Sequence, residues 1–352
     1  MKFIPFVLAL ALLTGCDHLP YPREMGDMAP LRTMGVDKAG EGVSLTLSSG
    51  PRAQGLQGER QPALTLSAEG ETLSGAALSL QSQSDSFVFY GYVDQLLLGE
   101  ELAEEDVGPV LDWFARDLEL GLGAQLWVVQ GREAASAVEA GGDEGADSRL
   151  ETLEHDGEMG VAAIPRRAGE VYTDLLELGA AYVPALIPGG GEESTLVEGG
   201  YAILKDEALV GYLNGEAARG LELLAGEAAA HILAVELPQG RVTVRVTSSA
   251  FKSRFGENGL ELSGRVSARL VEHHRILTPE EREQLREEVA LREETRIRTA
   301  LTQLQVWQAD CLGLGARAGL TAPAKWSALK GNWPREFARQ EPTVELWAEL
   351  RG

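Results

Sequence analysis

The chain reads as a mixed α/β protein of the α+β class in more than one domain, and three observations predict it. Between residues 106 and 140 an amphipathic helix, a continuous apolar strand and a second helix follow one another, the signature of helices layered on a sheet. After residue 229 three strand-like runs come in succession, which suits an antiparallel meander. A single long helix then begins at Thr278. The expected architecture is an N-terminal mixed sheet with helices, followed by a C-terminal antiparallel sheet packed on one long helix. With 352 residues, 44% of them apolar, the chain can build cores for two or three such bodies.

The first element is one that does not belong to the fold. Lys2 precedes an apolar run from Phe3 to Leu13, broken only by Pro5, and Leu13-Thr14-Gly15-Cys16 closes it. The run is too short to cross a ~30 Å hydrocarbon core as a helix, and small residues before a cysteine suit a signal peptidase. Residues 1–15 therefore read as a signal peptide cleaved between Gly15 and Cys16. Cys16 becomes the lipidated first residue of the mature chain, S-diacylglyceryl-modified and open to N-acylation. Two acyl chains, at about 0.8 kcal/mol per buried CH₂, hold firmly where one binds only marginally. Residues 16–30, rich in Pro, Met, Gly and charge and without periodicity, read as a lipidated tether.

Residues 31–190 form the expected N-terminal domain. Leu31 to Val36 and Val43 to Ser48 read as strands joined by a hairpin turn over Asp37 to Gly42, the second alternating Val43, Leu45 and Leu47 with polar residues. Ala63 to Ala68 is a further strand, and Thr72 to Gln81 has Leu73, Ala76, Ala77 and Leu80 at helical spacing. The aromatic run Phe87 to Tyr92 is expected to be a strand filling the core, followed by an apolar run from Gln95 to Leu98. Asp106 to Asp117 is an amphipathic helix with Pro109 in its first turn, Ala124 to Val129 a buried strand, and Arg132 to Ala140 a short helix stopped by Gly141-Gly142. Gly141 to Ser148 reads as an acidic surface loop that lacks the alternation of a calcium loop. Tyr172 to Tyr182 resumes as helix, and Pro188 to Glu193 looks like a linker, placing a domain boundary near residue 195.

Residues 196–352 form the expected C-terminal domain, in which 196–228 can join the later strands as a subdomain. Tyr201 to Leu213 is a hairpin turning at Asp206-Glu207, and Glu216 to Leu224 a helix. Ala229 to Leu237, Arg241 to Ser248 and Leu260 to Val271 are strands, the last alternating Leu260, Leu262, Val266, Ala268 and Leu270 on one face. Thr278 caps the long helix, with Pro279 at its first position and Glu281 completing a capping box. Leu285, Val289, Ile297, Leu301 and Leu304 make its apolar stripe, and Thr343 to Leu350 is a final strand.

Charge and chemistry narrow the function. A formal charge of -23 repels phosphates and anionic headgroups, so neither nucleic-acid binding nor electrostatic membrane adsorption is expected, and attachment must come from lipid. The two cysteines are Cys16 and Cys311; with the first lipidated no internal disulfide forms, which suits an exported protein on the outer face of a single-membrane cell. Cys311 reads as a small buried hydrophobe. His18, His155, His231, His273 and His274 lack partners at metal-ligand spacing. Neither a Gly-x-Ser-x-Gly elbow nor a phosphate-binding loop occurs. Gly313-Leu314-Gly315 with Gly319 follows a helix instead of a strand, so these glycines turn the chain and do not hold a dinucleotide. The expectation is a non-enzymatic protein with no catalytic residue, cofactor or metal.

Four blocks, in this order, resemble the Ger(x)C family, the lipoprotein C subunits of nutrient germinant receptors in endospore-forming bacteria. They are Arg23-Glu24 with Gly35-Val36-Asp37; Gly99-Glu100-Glu101-Leu102-Ala103 leading to Leu111-Asp112 and Arg116-Asp117; Gly200 to Asp206 with Leu209 to Leu213 and Arg219-Gly220; and the tail Gln308, Asp310, Gly313, Gly315, Pro323, Trp326, Trp333 and Phe337. Asp17-His18 departs from the aromatic usually found after the lipid cysteine, and Gly141 to Arg149 matches no family block. The resemblance implies a non-catalytic scaffold or coupling subunit required for germination. It further implies A-type and B-type integral membrane partners, the outer face of the spore inner membrane, and a germinant bound by another subunit. The rival reading is a solute-binding lipoprotein of a transporter, which would need strand-helix alternation in both halves around a polar pocket. An extracytoplasmic hydrolase would need a clustered, buried carboxylate or histidine pair.

Overall fold

Strands that are apolar along their whole length must be covered on both faces, and the centre of this molecule is built from such strands. The computed structural model describes residues 28–53, 60–189, 196–227, 231–238, 240–257, 259–273 and 276–351. The first half runs β1 (Met28–Pro30), β2 (Thr33–Ala39), β3 (Gly42–Ser48), β4 (Arg52–Ala53), β5 (Arg60–Gln61), β6 (Thr65–Gly70), α1 (Leu73–Gln83), β7 (Phe87–Phe89) and β8 (Gln95–Gly99). It continues with α2 (Glu100–Glu105), α3 (Gly108–Arg116), β9 (Gln125–Val129), α4 (Ala134–Glu139), α5 (Asp147–Glu158), α6 (Ala168–Leu178) and β10 (Ala180–Pro188). The second half holds β11 (Leu196–Lys205), β12 (Ala208–Leu213), α7 (Gly215–Ala225), β13 (His231–Leu237), β14 (Gly240–Phe255) and β15 (Leu260–Glu272). After these come α8 (Pro279–Val306), α9 (Leu314–Gly319), α10 (Pro323–Leu329), α11 (Trp333–Arg339) and β16 (Thr343–Arg351).

Eight strands form the main sheet in the order β12-β11-β10-β9-β8-β2-β3-β6. Its centre, β2, β8, β9 and β10, is parallel, and an antiparallel hairpin extends it on either side. Every residue of β8 and β9 is buried. Met34, Val36, Leu96, Leu98, Leu126 and Val128 face a core shared with α1, α3 and α6, while Leu97, Trp127 and Val129 face α4 and α5. The second sheet, β13-β14-β15-β16, puts Val235, Val244, Leu262 and Val266 against α7 and α8, and Tyr201, Ile203 and Leu213 of the first sheet's hairpin join that same core. The mixed, multi-domain α+β architecture is as the sequence indicates.

Several boundaries differ, each for a physical reason. β2 runs through Asp37 and Lys38 to Ala39, leaving only Gly40-Glu41 as turn, and Gly40 takes φ +58°. The aromatic run contributes the short β7, which pairs in parallel with β1; of its side chains only Val88 is buried, Tyr90 packs against the core from its edge and Tyr92 is 52% exposed, so the rings border the core more than they fill it. The helix expected over Tyr172 to Tyr182 starts earlier and ends at Leu178, because Gly179 adopts the left-handed conformation of a helix C-cap. Tyr182 belongs to β10. The acidic loop shrinks to a short 3-10 turn at Gly142–Glu144, and Asp147 opens α5.

The line drawn near residue 195 is not a break in the sheet, since β11 pairs with β10 over Ala180 to Pro188 and completes the first half. Residues 196–227 thus join the earlier strands through the ladder of β10 and β11 and share a core with the later ones, to which Ser249 Oγ adds a hydrogen bond to Leu223 O at 2.8 Å. β16 runs parallel to β15, so the C-terminal sheet is antiparallel in three strands with one parallel edge. The four helices between β15 and β16 form the long crossover that a parallel pair requires. Residues 1–27, with the signal peptide, Cys16 and nearly all of the tether, and 190–195, in the expected linker, lie outside the described residues.

Candidate functional site

Open α/β sheets hold ligands at the carboxyl ends of their parallel strands, and here β2, β8 and β9 end around a crevice of about 510 Å³ lined by Asp37, Lys38, Glu100, Glu101, Glu104 and Arg132 among others. The N-terminus of α4 points into this region, the usual seat for a phosphate. It is already occupied: Asp37 Oδ1 accepts from Ala134 N at 2.6 Å and Oδ2 from Ala135 N at 2.9 Å. Burial pushes the Asp37 carboxyl up, and the two amides partly offset this. Gly99 makes the arrangement possible, because a Cβ there would lie 1.9 Å from Asp37 Oδ1. The crevice rim is dominated by carboxylates. An anionic cofactor has neither a free helix end nor a favourable field here.

A second depression, about 650 Å³, lies between the β2–β3 turn, the start of α1 and the face of α3. Leu73, Val110 and Trp113 give it an apolar wall, with Lys38, Asp112 and Arg116 at the rim. The rim charges are paired: Lys38 with Glu105 at 2.8 Å, Arg116 with Asp112 at 2.7 Å.

Other motif residues lie far from either depression and serve packing. Gly220 of α7 touches α8 so closely that a Cβ would sit 2.1 Å from Arg296 O. Tyr201 donates to Glu222 Oε1 at 3.0 Å while accepting from Ile164 N at 2.7 Å, and Arg219 Nη1 reaches Glu222 Oε2 at 2.8 Å. In the tail, buried Asp310 accepts from Leu314 N, Gly315 N and Trp333 Nε1, each at 2.8 Å. Burial raises the Asp310 carboxyl, against the opposing pull of these donors. Gly315 leaves room for the Trp333 ring, which packs with Phe255, Trp326 and Phe337. Gly313 turns the chain with φ +63°, as its position after a helix indicates. Cys311 is buried as a free thiol whose pKa burial pushes up.

Two polar clusters escaped sequence reasoning. Arg32 gathers Asp94, Asp147 and Glu151, residues distant in sequence. Glu293, fully buried on α8, bonds His231 at 2.9 Å and Arg296 at 3.0 Å. A signal for the second existed: Glu293 stands midway between Val289 and Ile297 within the apolar stripe. Among the described residues no group of three or more His, Cys, Asp or Glu side chains could hold a metal.

Comparison with known proteins gives these shared blocks a family. Residues 22–188 match the spore germination protein N-terminal domain, and residues 199–352 match the spore germination B3/GerAC-like C-terminal domain. The putative spore germination protein YfkR of Bacillus subtilis (strain 168) is 26% identical over 215 residues, 58% of this chain and 54% of that protein, so the chain spans about half the length of the curated relative it matches. The crystal structure of the GerBC protein shares the fold, with a TM-score of 0.60 at 17% identity, covering 91% of this chain and 97% of that one. With both halves matched in order along nearly the whole described chain, this protein belongs to the Ger(x)C family of spore germination proteins.

Proposed function

We propose that the chain is the lipid-anchored C subunit of a nutrient germinant receptor, a non-catalytic scaffold or coupling element. In this reading Cys16 holds it on the outer face of the spore inner membrane beside A-type and B-type integral membrane subunits. The observation that carries the reading is where the shared residues are used. Asp37, Gly99, Gly220 and Asp310, all within the blocks that resemble the family, hold helices to the sheet and to one another, which supports a structural role for those blocks. Among the described residues no helix is long and apolar enough to cross a membrane. Purification of this chain from spore inner membranes after mild cross-linking tests the reading. Two polytopic membrane proteins are expected with it; recovery of the chain by itself, in spores that germinate normally, counts against it.

A second reading, a solute-binding lipoprotein, draws on the groove beside Trp113. Calorimetry with a panel of amino acids and sugars separates the two. Micromolar binding that Trp113→Ala abolishes favours the rival, and no heat favours the scaffold.

A further inference from the structure

The face of the C-terminal sheet turned away from α7 and α8 carries a charge pattern opposite to that of the chain. Strand register places Ile232, Arg245, Arg269 and Arg351 in one row across β13, β14, β15 and β16, and all four are exposed. Neighbouring strands are ~4.8 Å apart, and like charges directly opposite one another destabilise a sheet. Arg245 and Arg269 have no ion-pair partner among the described residues, and Arg351 has Glu349 only at 3.8 Å. The chain holds 54 acidic side chains against 31 basic ones, so carboxylates to neutralise this row were plentiful, yet the row lacks them. On the same face Arg265 stands opposite Trp347, which is 55% exposed, and Ile232 is 57% exposed. Glu349 is shared between Arg265, at 3.6 Å, and Arg351.

We propose that this open sheet face is a docking surface for anionic lipid headgroups. Guanidinium groups pair bidentately with phosphate, and tryptophan settles at the boundary between headgroups and acyl chains. The three arginines and Trp347 present both chemistries on one side of a single sheet. The inference rests on the lipid anchor of the proposed function: a tethered chain meets the bilayer as an intramolecular partner, so a weak face suffices to orient it. The remaining negative surface is screened beyond a Debye length of ~10 Å at ~0.1 M salt. The face therefore sets which side of the protein meets the membrane, and the anchor supplies attachment.

The experiment couples the chain from Cys16 onward to a maleimide lipid in phosphatidylcholine vesicles with or without phosphatidylglycerol. Dropping residues 1–15 removes nothing from the described fold, which begins at residue 28, and Cys311 is buried, leaving Cys16 for coupling. Energy transfer from tryptophan to a dansyl-headgroup lipid is read, with Trp347→Phe isolating the share due to Trp347. We expect Trp347-dependent transfer on vesicles containing phosphatidylglycerol, loss of it on phosphatidylcholine alone, and a decline with salt. Arg245→Glu and Arg269→Glu should each lower the ratio of docked to undocked protein about 5-fold or more without lowering the melting temperature, and the double variant Arg245→Glu with Arg269→Glu should lower that ratio further. Equal transfer on both vesicles, or no response to the double variant, overturns the proposal. Unchanged transfer combined with a germination defect in the double variant also overturns it and points to an acidic protein surface as the occupant. Because the coupling is chemical, the result is independent of whether the cell lipidates Cys16, which the intact mass of the spore protein reports separately.

Discussion

The two sheets of this protein bury their strands by different means. The eight-stranded sheet is covered on both sides, so its central strands β8 and β9 are buried at every position and carry no alternation to say which face is which. Its order is fixed instead by close contacts, in which a carboxylate from β2 caps α4 and Gly99 leaves the space it needs. The four-stranded sheet is covered on one side, and the burial of β15 from Leu260 to Ala268 follows its sequence pattern closely. Two-sided burial thus depends on specific backbone contacts, whereas one-sided burial depends on pattern and frees a face for other work.

That contrast is tested most severely where backbone meets backbone. In the large sheet, Gly70→Ala places its Cβ 2.4 Å from the backbone nitrogen of Ala76 in α1 and should cost about 3 kcal/mol or more, since overpacking here has no side chain to move aside. In the small sheet, Gly264→Ala meets only the Phe251 ring, a side chain that can shift, and should cost clearly less. Equal losses in urea unfolding of the two variants would remove the distinction. Next in size is Asp310→Ala, which leaves two backbone amides and the Trp333 indole N–H without their acceptor and should cost about 3 kcal/mol. Near-ultraviolet circular dichroism should show the loss of the fixed tryptophan environment before global unfolding.

A pH scan sharpens the same point. Burial raises the carboxyls of Asp37, Glu198 and Asp310 above their ordinary values. The folded chain then holds these protons more tightly than the unfolded one, so their effect on stability weakens as pH rises through the folded values. The melting temperature should therefore increase as pH falls from neutrality toward the ordinary carboxylate range, ~4, with self-repulsion of the acidic surface falling in the same direction. A steady decrease over that range contradicts the assignment. The smallest effect is Thr278→Ala, about 1 kcal/mol, because the capping box fixes only the start of α8.

Local grammar was legible in the sequence. Thr278, Pro279 and Glu281 form the capping box they spell, and Asp206-Glu207 makes a two-residue turn with φ +49° and +67° at the two positions. Long-range choices were not. Of the residues of α5 only Asp147, Leu150 and Leu153 are buried, too few for a periodic signal, so its first turn read as the end of a loop. The parallel entry of β16 and the pairing of β11 with β10 are decided by the path of the whole chain. Asp37 and Gly99 were visible as motif residues, but their role depends on Ala134, 97 positions away from Asp37, which no local pattern encodes.

The proposed lipid-anchored subunit is tested most directly by germination of spores carrying Cys16→Ala. The proposal predicts that the variant accumulates as a folded protein absent from the membrane fraction, and that nutrient-triggered germination dependent on this chain is lost. Normal germination with the variant found only in soluble form would contradict it.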